Sequence, residues 1–314
     1  MSPKKLSIVS GCFNEAGNVE DLVARVAKVM ESLPQYDYEQ IIIDNASTDG
    51  TQEILRRLTA GNPRLKVILN ARNFGHIRSP YHGMMQATGD AVIYMASDLQ
   101  EPPELIPEFV DKWEGGAKAV VAIKDSSDES PLFFAVRRLY YRLVEGLAET
   151  KTIQNFTGFG LYDRVIMEYC HSLQDPYPYF RGLIAEVGLP VERVSYHQPL
   201  RIRGFTKNNL YTLYDMAMLG ITNHSKVPLR LAAMLGFATA LVCLLIAFVY
   251  LIYKLAFWNN FPLGSAPMVI GLFFFASVQL FFIGILGEYI GSIHTKVLKR
   301  PLVVEKERIN FKSY

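Results

Sequence analysis

Residues able to do binding chemistry are gathered in four short clusters separated by apolar runs. They are Phe13-Asn14-Glu15, Asp44-Asn45-Ala46-Ser47-Thr48-Asp49-Gly50-Thr51, Arg72-Asn73-Phe74-Gly75-His76 and Ser97-Asp98-Leu99-Gln100-Glu101-Pro102-Pro103-Glu104. Their amides, carboxylates and hydroxyls are the groups that hydrogen-bond a nucleoside and offer hard oxygens to a divalent cation. Further on, Arg201-Ile-Arg203-Gly-Phe-Thr-Lys207 presents forked donors for phosphate, with Gly204 permitting close backbone approach. The same basic stretch suits anionic lipid, and the two roles are compatible. Neither GxGxxG nor GxxxxGK[ST] occurs, which excludes the dinucleotide fingerprint and the P-loop. Any one cluster alone could be a turn or a helix cap, as Asp49 before Thr51 illustrates. Their joint placement carries the reading.

That placement comes from the elements between them. Strands are expected at Leu6–Ser10, Gln40–Asp44, Lys66–Leu69, Ala91–Met95 and Ala119–Ile123. Helices are expected at Val19–Ser32, Thr51–Thr59, around Ser79–Ala87, and around Glu104–Trp113, the last opened by Pro102-Pro103. Alternation of this kind predicts an α/β fold with an open, mostly parallel sheet, and such sheets bind ligands at the carboxyl ends of their strands. All four clusters fall there.

The rest of the chain answers to a different solvent. Across 314 residues the mean hydropathy is +0.14 and 20% are charged, yet from Leu231 to Gly287 the only charged residue is Lys254. A purely soluble protein is excluded. Leu231–Tyr253 and Ala266–Gly287 are each long enough to span a bilayer, joined by a short link. Basic residues flank the pair (Lys226 and Arg230 before, Lys296, Lys299, Arg300, Lys306 and Arg308 after), so both flanks are expected in the cytoplasm. Leu132–Leu147 and Asn208–Val227 have apolar residues at helical spacing and are candidate interfacial helices. The expected organisation is a cytoplasmic domain over 1–205, a juxtamembrane amphipathic segment over 206–230, membrane helices over 231–253 and 266–287, and a cytoplasmic basic tail over 288–314. The net charge of +2 leaves no nucleic-acid footprint. Cys12, Cys170 and Cys243 form no CxxC, which speaks against a disulfide scaffold or a zinc module. The six histidines show no metal spacing.

Taken together, the four clusters, the Arg201–Lys207 stretch and the hairpin ending Leu286-Gly287-Glu288-Tyr289 resemble the family 2 glycosyltransferases of GT-A fold. In particular the chain looks like the polyisoprenyl-phosphate type, the dolichol-phosphate mannose synthase and bactoprenol glucosyltransferase group. The resemblance covers almost the whole chain. It implies inverting transfer of a sugar from a UDP- or GDP-linked donor to a polyisoprenyl phosphate, with a divalent cation, Mg2+ or Mn2+, at the cell (inner) membrane. Asn14, Glu15, Asp44 and Asn45 would hold base and ribose, with Phe13, Ser47, Arg72, Asn73 and Gly75 completing the donor site. Asp98 and Gln100 would ligate the metal, and Arg201, Arg203 and Lys207 would neutralise the leaving nucleotide. Expected partners are the donor, the lipid phosphate, the bilayer and, as an option, further copies of the chain, but no nucleic acid.

Three positions depart from the family pattern. Ala96 stands where the first acidic residue of the Asp-x-Asp metal motif falls, and Asn45 where the nucleotide motif has a second Asp. Gly158, in Asn155-Phe-Thr-Gly158-Phe-Gly160-Leu-Tyr-Asp163-Arg164, stands where a candidate base would sit. A lone Asp98 is compatible with magnesium, which needs only one or two carboxylates beside phosphates and waters. Two resolutions of the missing base remain open. A lipid phosphate, with a second pKa of about 6, is already ionised near neutrality. Alternatively the base has moved to Glu186, which a hydroxyl acceptor of a lipid-linked saccharide or polysaccharide would need. A catalytically inactive scaffold of the same fold is the remaining alternative.

Overall fold

The computed structural model of the chain describes residues 3–126, 153, 155–199, 218, 227–257 and 265–311. The candidate interfacial segments, apart from Met218 and Val227, and the Arg201, Arg203 and Lys207 cluster therefore lie outside the described residues.

Strands β1 (Lys5–Cys12), β2 (Asp37–Asp44), β3 (Leu65–Asn70) and β4 (Ala91–Ala96) alternate with helices α1 (Val19–Glu31), α2 (Thr51–Ala60) and α3 (Gly75–Met85). A 3-10 turn at Pro103–Leu105 leads into α4 (Ile106–Glu114), then β5 (Ala119–Ser126) and β6 (Phe156–Asp163). Helices α5 (Arg164–Leu173) and α6 (Phe180–Glu186) precede β7 (Val191–His197). Two long helices, α7 (Val227–Ala256) and α8 (Ser265–Val297), and a last strand, β8 (Glu305–Ile309), complete the chain.

The sheet has the order β7-β5-β6-β4-β1-β2-β3-β8. β4, β1, β2 and β3 run parallel, as do β5 and β7, whereas β6 and β8 are antiparallel to their neighbours. The central strands are near-continuous apolar runs because helices cover both faces. Leu6 and Ile8 of β1 pack with α1, α2 and α4 through Leu22, Val26, Leu55, Phe109 and Trp113. Val9 and Ile41 point the other way, toward Tyr81, Met84, Ile166 and Ile184 of α3, α5 and α6. The chain turns from β1 toward β2 on one side and reaches β4 on the other. The crevice at the carboxyl ends of β1 and β4 is thus a topological switch point, where open α/β sheets bind ligands.

The five expected strands and four expected helices are all present, with α3 beginning earlier than its apolar pattern indicates. Asn73 Oδ1 accepts a hydrogen bond from Gly75 N at 2.8 Å, fixing the entry to α3 before the apolar residues start. The 288–314 segment is not a free tail. α8 continues to Val297, and residues beyond it return to the sheet as edge strand β8, paired with β3. Arg56 binds Glu307, His82 Nε2 lies 2.5 Å from Glu305 Oε1, and Asn310 Nδ2 donates to the carbonyls of Thr59, Asn62 and Leu65. These partners lie more than 200 residues away in sequence, beyond the reach of local patterning.

Helices α7 and α8 touch each other, and among the described residues most of their large apolar side chains are exposed. Phe237 is 79% exposed and Met268 81%. Among the described residues one stretch, Phe274–Val297, is long and apolar enough to cross a membrane, with a shorter apolar stretch at Val227–Thr239. At 1.5 Å per residue the 30-residue α7 is about 45 Å long, more than a bilayer core of about 30 Å.

Candidate active site

Three non-glycine residues in the strand-end loops hold positive φ: Asn14 (58°) after β1, Ala46 (62°) after β2 and Leu99 (61°) after β4. Each left-handed residue costs about 1–3 kcal/mol, and such strain collects at functional sites. The loops are then tied to one another. Asn14 N–H donates to Ser47 Oγ at 2.7 Å, and Thr48 N–H donates to Asn14 Oδ1 at 2.8 Å. Glu15 N–H donates to Thr51 Oγ1 at 3.0 Å, while Asn18 Nδ2 holds the buried Glu15 carboxylate at 2.5 Å. Asp44, fully buried at the end of β2, accepts from Ser47 N–H, the Ser47 hydroxyl and Gln52 Nε2.

Asn45 binds the third loop to the second. Its Nδ2 donates to Asn73 Oδ1 (2.8 Å) and Gly75 O (3.1 Å), and its Oδ1 accepts from Phe74 N (2.8 Å) and Asn70 Nδ2 (3.2 Å). An aspartate could not make the two donations, which explains the amide at this departure from the family pattern. Arg72 stacks over Phe74 at 4.2 Å and donates to Asn73 O. Phe13 is half-buried beside this group of loops.

At the end of β4, Ser97 Oγ donates to Gly11 O at 2.7 Å, joining the fourth loop to β1. Asp98 Oδ1 accepts from Gln100 N–H at 3.2 Å, and Gln100 Nε2 donates to Pro199 O, leaving its carbonyl oxygen as a free-standing hard donor type. Among the described residues no group of three or more His, Cys, Asp or Glu could enclose a metal by itself. The all-oxygen pair Asp98 and Gln100 fits magnesium or manganese shared with a diphosphate, a small protein share of the coordination shell. When bound, such an ion offsets the charge growing on a departing diphosphate.

Glu101 is a site residue that sequence reasoning missed. Its buried carboxylate accepts from Ala96 N at 2.6 Å and Thr157 Oγ1 at 2.8 Å, clamping the ends of β4 and β6 together. Burial raises its pKa to about 7, with Asp98 repulsion adding and the two hydrogen bonds opposing. The Tyr94 hydroxyl stands in the field of Glu101, Asp98 and Arg181, and burial and the carboxylates push its pKa up. Glu101 lay inside the fourth cluster, but no spacing connects it to Thr157, and nothing local marks Tyr94 or Arg181.

Gly158 has φ +108°, and a Cβ there would lie 3.4 Å from the Tyr94 ring. The backbone at this position suits glycine, so the missing carboxylate reflects a local geometry that disfavours any side chain. Asp163 is occupied elsewhere, capping α5 through Val165 N and binding Trp113 Nε1 and Lys118 Nζ. The structure does not bring Glu186 to these loops. Glu186 lines a separate cleft with Tyr169, Tyr179, Lys296, Lys299 and Arg300, and none of the four strand-end clusters contributes to it.

A parallel-sheet α/β domain with its polar loops gathered at the switch point, followed by two apolar helices, defines a GT-A-type enzyme domain on an apolar hairpin. The family model for glycosyl transferase family 2 matches residues 7–171, and that for the GtrB C-terminal hairpin matches residues 227–293. The chain belongs to glycosyl transferase family 2 and is a glycosyltransferase. It is 32% identical over 306 residues to a bactoprenol glucosyl transferase of Shigella phage SfX, covering 97% of this chain and 99% of that protein. A prophage bactoprenol glucosyl transferase homolog of Escherichia coli (strain K12) is 31% identical over 306 residues, with 96% and 98% covered. In fold the chain is similar to glucosyl-3-phosphoglycerate synthase from Mycobacterium tuberculosis, solved with phosphoglyceric acid. That likeness has a TM-score of 0.50 at 19% identity, over 70% of this chain and 78% of that one.

Proposed function

We propose that the protein transfers a sugar, with inversion and with a divalent cation, from a UDP- or GDP-linked donor to a polyisoprenyl phosphate at the cytoplasmic face of the membrane. The single observation that carries this reading is the convergence of the four loops at the β1/β4 switch point on a chain that also carries the α7–α8 hairpin. The near full-length likeness to proteins named bactoprenol glucosyl transferase supports the acceptor. Asp44, Glu15 and Asn14 hold the base and ribose, Asn45 shapes the Arg72–Gly75 loop, and Asp98 with Gln100 holds the cation. Arg201, Arg203 and Lys207 take the diphosphate. The acceptor phosphate is its own nucleophile, since it is ionised near neutral pH and needs no base in place of Gly158.

Connectivity supports a membrane hairpin with both flanks on one side. β8 belongs to the same sheet as β1–β4, which supports both ends of the hairpin lying on one side of the bilayer. The flanking basic residues favour the cytoplasmic side.

The test is a donor screen on membranes carrying the overexpressed protein, with mass analysis of the lipid product. A glycosylated polyisoprenyl phosphate formed by the parent chain and reduced about 100-fold or more in Asp98→Ala is the expected result. Product on a saccharide hydroxyl instead would overturn the acceptor, and no turnover with any donor would overturn the enzyme. Glu186→Gln is expected to keep near-parental turnover. Its loss would reinstate a base and a hydroxyl acceptor.

A further inference from the structure

The cleft around Glu186 has its own chemistry. About 560 Å³ in volume, it is walled by α5 and the turn after it, by α6, and by the exit of α8. Lys296, Lys299 and Arg300 bring three positive charges against Asp175 and Glu186. Lys296 lies 3.8 Å from Asp175, whereas among the described residues no carboxylate pairs with Lys299 or Arg300. Leu173 of the lining is exposed (40%), and the exposed Val297 (70%) and Leu298 (42%) lie in sequence between its basic residues.

Depth relative to the bilayer follows from chain continuity. With the span of α8 taken over the longer stretch Phe274–Val297, Lys299 and Arg300 follow its end directly, at the level of the headgroups. Tyr169, Leu173 and Tyr179 line the same cleft and must share that depth, two of them aromatic residues of the kind that favours the interface. We propose that this cleft is a headgroup site for an anionic phospholipid, which seats the α5–α6 face of the catalytic domain on the bilayer. The inference rests on reading α7 and α8 as a membrane hairpin. It adds a lipid site away from the strand-end loops, one whose occupant is a bilayer component and not a substrate. Charge complementarity selects the lipid: a phosphodiester meets Lys299 and Arg300, while the acyl chains continue past Leu173 and Val297. A zwitterionic headgroup carries no net charge to match the excess of three basic over two acidic side chains.

The test places an environment-sensitive fluorophore on Leu173→Cys in a Cys243→Ser background and reconstitutes the full chain in phosphatidylcholine vesicles. Brominated phosphatidylglycerol is compared as a quencher with brominated phosphatidylcholine at equal mole fraction. The expected result is a preference for phosphatidylglycerol of about fivefold, the enrichment one basic residue supplies at a membrane surface. In a Lys299→Gln, Arg300→Gln double variant the two lipids should quench equally. Equal quenching in the parent chain, or none by either lipid, overturns the proposal. So does quenching by a trace of brominated polyisoprenyl phosphate that phosphatidylglycerol cannot displace, which would assign the cleft to the acceptor. Carbonate extraction separates the two layers of argument: a protein washed off the vesicles defeats the hairpin, whereas one that stays with an unquenched label defeats only the headgroup site.

Discussion

At the scale of single residues, two of the three departures from the family pattern, Asn45 and Gly158, have local physical causes, and nothing in the structure explains Ala96. Asn45 spends its amide on the Asn73–Gly75 loop. Asn45→Asp would keep size and acceptor capacity but lose both donations and set a carboxylate against Asn73 Oδ1. At about 1–3 kcal/mol for buried groups left unpaired, the donor KM is expected to rise about tenfold or more with circular dichroism unchanged. A KM at the parental value would show that the loop is held without this residue. Gly158→Asp is expected to restore no activity and to lower stability by about 1–3 kcal/mol, because φ is +108° and the Tyr94 ring lies beside the new Cβ. The check is thermal unfolding in detergent together with turnover. A more active variant would mean that the backbone adapts and the base was merely lost.

At the scale of elements, the strand ends divide their labour. The carboxyl ends carry the site, while the β1, β2 and β3 region away from it is held by a buried charge cluster around Glu39. Lys5 Nζ and Lys66 Nζ reach Glu39 at 2.9 and 2.5 Å, and Ser7 Oγ and Thr88 N at 2.6 and 2.8 Å. Burial alone would raise the Glu39 pKa, but these hydrogen bonds overcome it and hold the carboxyl at about 2. A depressed carboxylate pKa adds stability that is complete above the unfolded value of about 4.5 and is lost as pH falls toward 2. Glu39→Gln should therefore cost about 3 kcal/mol at pH 7 and progressively less below pH 4.5. Thermal unfolding of both proteins in detergent at pH 7 and at low pH measures it. A deficit that does not shrink on acidification would assign the cost to packing instead of charge.

At the scale of the whole molecule, the chain leaves the sheet, passes through the hairpin and comes back to the same sheet. β8 ties the exit of α8 to the Arg72–Gly75 loop, because Ala71 N–H, next to Arg72, donates to Val304 O at 2.9 Å. The α7–α8 hairpin and the Arg72–Gly75 loop are thereby mechanically linked. Asn310→Ala should lower stability by about 1–2 kcal/mol, since three carbonyls lose their donor. Deleting 303–314 should in addition raise the donor KM, read by titrating donor against detergent-purified protein. A truncated chain with parental KM would show that the Arg72–Gly75 loop is set from the α3 side alone.

The polar clusters, the alternation that puts them at strand ends and the nearly uncharged run from Leu231 to Gly287 were legible in the sequence. Each is a local pattern written in neighbouring residues: period, run length, turn and cap chemistry. Phe13, Asn14, Glu15, Asp44, Ser47, Arg72, Asn73, Gly75, Asp98 and Gln100 could be picked out for that reason. Only the tertiary structure revealed which polar groups tie the loops to one another, as Asn45 does, and that Glu101 joins β4 to β6. It also carried the 288–314 segment back into the sheet as β8, and it put Glu186 in a basic cleft beside α8. Those outcomes depend on pairings between residues tens to hundreds of positions apart, set by which strands become neighbours, and no local pattern encodes them.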